Sequence, residues 1–320
     1  GDPRYVGYAE AVLAHFSEPL PASLRLVRGK LRQYRHGFDE ALKDFAEALA
    51  QDPQLAEAHA WRGAIFLVQA DYAAAQKECA ALQGLGQTVL FGTCIGLVQA
   101  YGGQLEAGYQ SLQRALATNR DPDNRLWLLT RMGEVAAWRN QPALAEQHYR
   151  AALSIGLDDG YLLAAWSDFL LDNGRPAEAL THLANWESSD TLLLRLAEAA
   201  AQLKSPDAAR LAQMLDERFA AARLRGDTTH RAEEARYYLH LRGDAKEALR
   251  LAAANYGVQR EPRDARILLE AAIAAQDAAA AQPVRDWLRR SGFEDVRLRG
   301  LGEKSALVRS AYLGSRFAGR

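Results

Sequence analysis

His230, Glu233, Tyr237 and His240 are the residues whose types and spacing come nearest to chemistry. At 100° per residue on a helix they share one arc, so two imidazoles, a carboxylate and a phenol would face one side. Such a set could take a metal ion or a polar ligand. Zinc sites, however, draw on three or four convergent ligands, and the metal candidates His230 and His240 supply only two rings. A solvated helix face carrying one aromatic accounts for the same spacing. A second stretch, Gly300-Leu301-Gly302-Glu303-Lys304-Ser305, shares residues with a phosphate-binding loop. The earlier glycine of such a loop is Arg297 here and no apolar strand leads in, so an ordinary turn between helices is expected. HExxH, CxxC and GxSxG do not occur. The expectation is a chain that is not an enzyme, with no catalytic residue, no cofactor and no resident metal.

The two cysteines, Cys79 and Cys94, fall by pattern in the second helix of one pair and the first helix of the next. Those helices should pack side by side. A disulfide is one reading, because bridged cysteines need α-carbons ~5.5–6 Å apart, which close helix contacts provide. Two small buried residues is the other. A bridge points to an exported, periplasmic protein and free thiols to a cytoplasmic one. The chain carries 40 acidic and 39 basic residues for a net charge of −1, with 25% of residues charged and 49% hydrophobic. That balance argues against a dedicated nucleic-acid binder, which shows a basic excess. No apolar run approaches the ~20 residues that span a bilayer. The chain opens on Gly1-Asp2-Pro3 without an initiator methionine, and an upstream segment is expected.

The elements that must position these residues follow a ruler. Gly63 stands twelve residues before Ala75, and Tyr72 three before it. Gly29 precedes Ala41, Gly96 precedes Gly108 and Gly133 precedes Ala145 by the same twelve, and Ser167 takes the glycine's place before Ala179. The anchors 41, 75, 108, 145 and 179 are 34, 33, 37 and 34 residues apart. A period near 34 marks stacked helix-turn-helix units. Small residues at a fixed offset let paired helices approach to ~8 Å.

With Gly29, Phe38, Ala41, Phe45, Ala48 and Pro53 in one unit and Gly63, Tyr72 and Ala75 in the next, the chain resembles the tetratricopeptide repeat family. Gly133, Ala145, Tyr149 and Ala152 match in a further unit, and Gly174, Pro176 and Ala179 in another. Arg25 and Arg28 depart from the family's large apolar residues, and Cys79 and Leu183 from its aromatic. The resemblance implies an all-α, right-handed α-solenoid of about eight stacked helix-turn-helix repeats with flanking helices, read as one domain over 1–320. A half-repeat helix is expected over 1–16, regular repeats over 22–186, irregular ones over 187–290, and a capping helix with a basic tail over 294–320. The pairs are placed at 22–53, 54–86, 87–122, 123–158, 159–186, 190–224, 229–256 and 262–290, with Pro283 kinking the last.

The resemblance further implies a scaffold that binds a protein or extended peptide in the concave groove of its first helices. Carried over residue by residue, that groove presents Trp127, Thr130, Glu134, Tyr161, Asp168, Glu198, His230, Glu233, Tyr237 and Glu270. The lysine–asparagine set with which some members clamp a terminal carboxylate is absent. Glu134, Asp168, Glu198 and Glu270 recur at equivalent places in successive first helices, a row suited to a basic or amide-rich peptide anchored on Trp127, Tyr161 and Tyr237. Solvated surface acids are the plainer reading of that row. Two other readings stand beside the scaffold: a cell-envelope accessory protein binding a small ligand or metal at the His230–His240 arc, and the repeat portion of a larger complex.

Overall fold

The computed structural model describes residues 4–308. Arg309, Arg316 and Arg320 of the expected basic tail, and the end of the expected capping helix, lie outside them. Among the described residues there are eighteen α-helices and no strand. None of these helices is long and apolar enough to cross a membrane. The chain divides into two compact units, 1–119 and 120–320.

The first unit holds α1 (Arg4–Leu13) and three hairpins: α2 (Ala22–Tyr34) with α3 (Phe38–Gln51), α4 (Ala56–Val68) with α5 (Tyr72–Gly84), and α6 (Thr88–Tyr101) with α7 (Leu105–Thr118). The second begins with α8 (Pro122–Trp138) and α9 (Pro142–Leu153), then α10 (Gly160–Asp172) and α11 (Pro176–Leu183), then α12 (Asp190–Gln202) and α13 (Ala208–Leu224). Next come α14 (Arg231–Tyr237) with α15 (Ala245–Tyr256), α16 (Pro262–Ala274) with α17 (Gln282–Ser291), and finally α18 (Val296–Leu307). These eight hairpins are the eight pairs read from the spacing.

One turn geometry is repeated in all eight. His36, Ala70, Gly103, Asn140, Gly174, Lys204, Gly243 and Gln276 each adopt a positive φ, between 53° and 80°, where the first helix of a hairpin ends. This left-handed residue closes a helix by letting the following amides reach back to its last carbonyls. Asp71 and Asp244 then cap the second helices by accepting from the amides of Ala74 and Glu247 at 3.0 and 3.1 Å. Pro142, Pro176 and Pro262 open helices from the first position, where the missing amide hydrogen is not needed. Pro283 does the same in the first turn of α17, so that helix starts there rather than kinking.

The twelve-residue offset reports close contact, but its glycines make room mostly for the residue sixteen positions on. A Cβ added to Gly29 would lie 2.5 Å from the Phe45 ring, one on Gly96 2.8 Å from Leu112, and one on Gly133 2.8 Å from Tyr149. Backbone meets backbone at Gly108, where an added Cβ would come within 2.5 Å of the Gly96 carbonyl oxygen. The anchors Ala41, Ala75, Ala145 and Ala179 are fully buried. In the second unit α12 is buried along its length, Leu192 through Ala200 inclusive, as expected of a helix with apolar residues all round. Its leucines pack with Leu211, Leu215, Phe219 and Tyr237. Two of those buried positions on α12 are charged, Arg195 and Glu198, and both need partners.

Cys79 and Cys94 are joined, with α-carbons 5.5 Å apart, so a covalent link ties α5 to α6. Gly63 packs on that link: a Cβ there would lie 3.3 Å from Cys94 Sγ.

Candidate binding cleft

In the second unit the first helices α8, α10, α12, α14 and α16 lie side by side in that order, and α18 packs on α16. Between α17 and α18, Phe293 is fully buried against Trp138 at the end of α8, with ring centroids 5.4 Å apart. This contact draws α18 back towards α8. The result is a cleft of about 590 Å³, with α8 and α10 on one side and α16 and α18 on the other. That volume lies within the ordinary range of ligand pockets, roughly 300–1,000 Å³. Trp138, Tyr149, Tyr161 and Phe169 give it aromatic walls, and Ala164 and Ala165 keep the α10 side open.

A chain of ion pairs crosses the same helices. Arg195 donates to Asp168 Oδ2 at 2.7 Å, and Arg236 lies 2.7 Å from Asp168 Oδ1. Arg236 also grips Glu198 with two bonds of 2.7 and 2.5 Å. His240 Nδ1 meets Glu198 at 2.9 Å and its Nε2 meets Glu270 at 3.4 Å. Arg266 continues the chain, donating to Glu270 at 2.7 Å and to both oxygens of Asp172 at 2.6 and 2.7 Å. Asp172 and Arg266 are 94 residues apart, so this pair ties α10 to α16 directly.

These neighbours set the protonation states. Burial works against the charged form of Asp168, but Arg195 and Arg236 outweigh it and hold the carboxyl well below its usual range. Glu198 is lowered in the same way, burial being overcome by Arg236 and His240. For Glu270, burial is overcome by His240 and Arg266, which bring it to about 2. Burial likewise opposes the His240 cation, yet the two glutamates lift it to about 9, so the ring is charged at neutral pH.

A smaller cluster lies beside the cleft. Tyr161 Oη donates to Glu134 at 2.7 Å and accepts from Arg131, which also pairs with Glu134 at 2.9 Å. The Arg131 guanidinium rests over the rings of Trp127 and Tyr161, 5.2 and 4.4 Å from their centroids. Burial pushes the Tyr161 phenol well above its normal range, so it stays a donor.

The structure gathers only part of the sequence-derived groove. Glu134, Tyr161, Asp168 and Glu270 line the cleft. Trp127 stands outside its lining, stacked on Arg131. Thr130 is buried and returns its hydroxyl to the Leu126 carbonyl at 2.8 Å. Glu198 is only 4% exposed, beneath its arginine and histidine. Tyr237 is fully buried, its ring 5.4 Å from Phe219.

The His230–His240 arc does not form. His230 precedes the first residue of α14, and from Tyr238 to Arg242 the helix widens into a π segment that ends at Gly243. The wider turn breaks the 100° rule on which the arc was drawn and carries His240 to Glu198 and Glu270. Among the described residues no three His, Cys, Asp or Glu side chains converge as a metal site. Glu233 is half-buried and lines no part of the cleft. The Gly300–Ser305 stretch lies inside α18, not in a loop.

Sequence reasoning missed Trp138, Phe169, Asp172, Arg195 and the whole α18 side. Arg131, three residues before Glu134, was a signal that this acid was already paired, whereas Arg195, three before Glu198, pairs with Asp168 on the neighbouring helix.

No protein-family model matches the chain, and no curated protein matches it in sequence. Among solved structures, yeast Tom70 aligns over 92% of this chain and 66% of its own, at 13% identity and a TM-score of 0.55. PilF of Pseudomonas aeruginosa aligns over 62% of this chain and 92% of its own, at 20% identity and a TM-score of 0.47. The Cut9–Hcn1 hetero-tetramer of the APC/C aligns over 83% of this chain and 52% of that one, at 14% identity and a TM-score of 0.49. The chain thus spans just under two thirds of the Tom70 chain and about half of the Cut9–Hcn1 chain. Eight hairpins with one repeated turn, small residues at the helix crossings and the likeness to Tom70 together show the fold alone, an all-α array of helix hairpins similar to tetratricopeptide solenoids.

Proposed function

We propose that the protein is a non-enzymatic scaffold that holds an extended segment of another protein in the cleft of its second unit. The observation that carries this reading is the cleft itself, with aromatic walls and both signs of charge around them. Its carboxylates are tied up in ion pairs or, for Asp295, in capping α18, so the arrangement is built to recognise rather than to transfer protons. Stacked helices are about 8–10 Å apart, so a segment crossing from α8 to α12 covers about 18 Å. Five or six extended residues, at roughly 3.3 Å each, reach that far.

A basic segment, which the acid row suggests, would have to displace Arg195, Arg236 and Arg266 from their carboxylates. A segment of mixed sequence that lays apolar side chains on Trp138, Tyr149 and Phe169 meets no such competition. The test is a random peptide library displayed against the protein, with the selected peptides titrated against Ala165→Trp, which fills the cleft from α10. A loss of tenfold or more in affinity is expected; unchanged affinity places the binding elsewhere.

The Cys79–Cys94 link supports an exported protein, because disulfides persist in oxidising compartments. Mass spectrometry of the native protein, alkylated without reductant, tests this. Labelled thiols would point to a reducing compartment.

A further inference from the structure

The charges that line the cleft are unequally occupied. Glu134 is held by Arg131 and Tyr161, Asp168 by Arg195, Asp172 and Glu270 by Arg266, and Asp295 caps α18 by accepting from the amides of Arg297 and Leu298. Of the cations on α18, Arg299 is held by the Phe293 and Gly292 carbonyls, but Arg297 and Lys304, which line the cleft, are not held in this way. Lys304 is exposed and has no ion-pair or hydrogen-bond partner among the described residues. The Arg297 guanidinium is 60% exposed and, among the described residues, reaches one carboxylate, Asp172, at 3.6 Å. Seven residues separate the two, which on a helix is a rotation of about 20° and a rise of about 10.5 Å, so both stand on one face. Gly300 and Leu301 lie between them on that face, within about 60° of both, and both line the cleft. A Cβ placed on Gly300 would meet nothing within 4 Å. This face of α18 therefore offers the cleft two available cations with apolar ground between them.

We infer that α18 reads carboxylates, and that the segment held in the cleft is acidic, with acidic side chains about three residues apart over Arg297 and Lys304 and an apolar side chain between them facing the aromatic wall. The spacing follows from polyproline II geometry, whose three residues per turn advance roughly 3.1 Å each and return both acids to one side, against the 10.5 Å between the cations. The sign follows from occupancy, since a new carboxylate finds free donors here whereas a new ammonium finds carboxylates already neutralised. This rests on the cleft being a peptide site, as proposed above.

Two rhodamine-labelled, acetylated hexapeptides test it: one with glutamate at its second and fifth positions and phenylalanine at the third and fourth, the other with lysine in place of glutamate. Each is titrated by fluorescence anisotropy against the wild type, the double variant Arg297→Gln/Lys304→Gln, and Ala165→Trp. The expected result is tighter binding of the acidic peptide by tenfold or more, a tenfold or greater loss in the double variant, and loss in Ala165→Trp. Both substituted side chains are exposed, so the double variant should melt as the wild type does. Equal binding of both peptides, or preference for lysine, with Ala165→Trp still blocking, would overturn the carboxylate rim while leaving the cleft a peptide site. Binding of the acidic peptide that neither variant weakens, or binding of neither peptide at millimolar concentration, would overturn the inference and count against the cleft as well.

Discussion

Raising the pH from 6.5 to 9.5 should destabilise the second unit by discharging His240. The imidazole stands between Glu198 on α12 and Glu270 on α16, with Arg236 from its own helix on the same glutamate. Its folded pKa of about 9 lies above the ordinary value near 6.5 that it takes when unfolded. A group raised in this sense contributes stability that is complete below pH 6.5 and lost as the pH climbs through 9. The rise from 6.5 to about 9 corresponds to at most ~3.4 kcal/mol. The side chain is 35% exposed, so solvent screening reduces this to roughly 1–2 kcal/mol. Tryptophan fluorescence is a suitable probe, because five of the six tryptophans (Trp127, Trp138, Trp166, Trp186 and Trp287) belong to the second unit. Urea unfolding at pH 6.5, 7.5, 8.5 and 9.5 would be compared between the wild type and His240→Gln, which keeps a donor but does not titrate. Asp264, raised by burial, also loses stabilisation as the pH rises, but it does so in both proteins and cancels in the difference. The variant should be the less stable by about 1–2 kcal/mol at pH 6.5, with the two converging by pH 9.5. Parallel curves would show that His240 is not held by its two glutamates.

Two more expectations concern the scaffold. Reducing the Cys79–Cys94 link, or replacing both with alanine, should lower stability by about 3 kcal/mol, the loop-entropy value for a ring near its separation of 15 residues; a urea midpoint that dithiothreitol does not move would mean the thiols are not bonded. Gly108→Ala should cost about 1–3 kcal/mol, because its Cβ would come within 2.5 Å of the Gly96 carbonyl, a backbone atom that cannot swing away. Gly63→Ala, whose nearest neighbour is Cys94 Sγ at 3.3 Å, should cost less, and thermal melts that rank the two the other way would refute the close-crossing account.

Much of the fold was legible because its signals are local. Gly103, Gly174 and Gly243 mark three of the eight turns openly, and Pro142, Pro176 and Pro262 mark helix starts. The other five turns carry His36, Ala70, Asn140, Lys204 and Gln276 in the same left-handed conformation; only the surrounding period identifies them, because the strain of a single non-glycine residue is offset by the packing of a whole hairpin.

The chain's own residue order thus determined helix class, repeat length and hairpin boundaries, since these depend on neighbours within one period. Which charges are free was decided by the tertiary structure. Asp168, Glu198 and Glu270 look like an open acidic row on a helical wheel, yet each is held by an arginine or histidine, some of them from other helices. No period encodes a pair such as Asp172 with Arg266, 94 residues apart, and a five-residue π segment was enough to move His240 off its expected face. The α18 wall of the cleft likewise depends on Phe293 packing against Trp138, a contact made by chain folding back over several repeats.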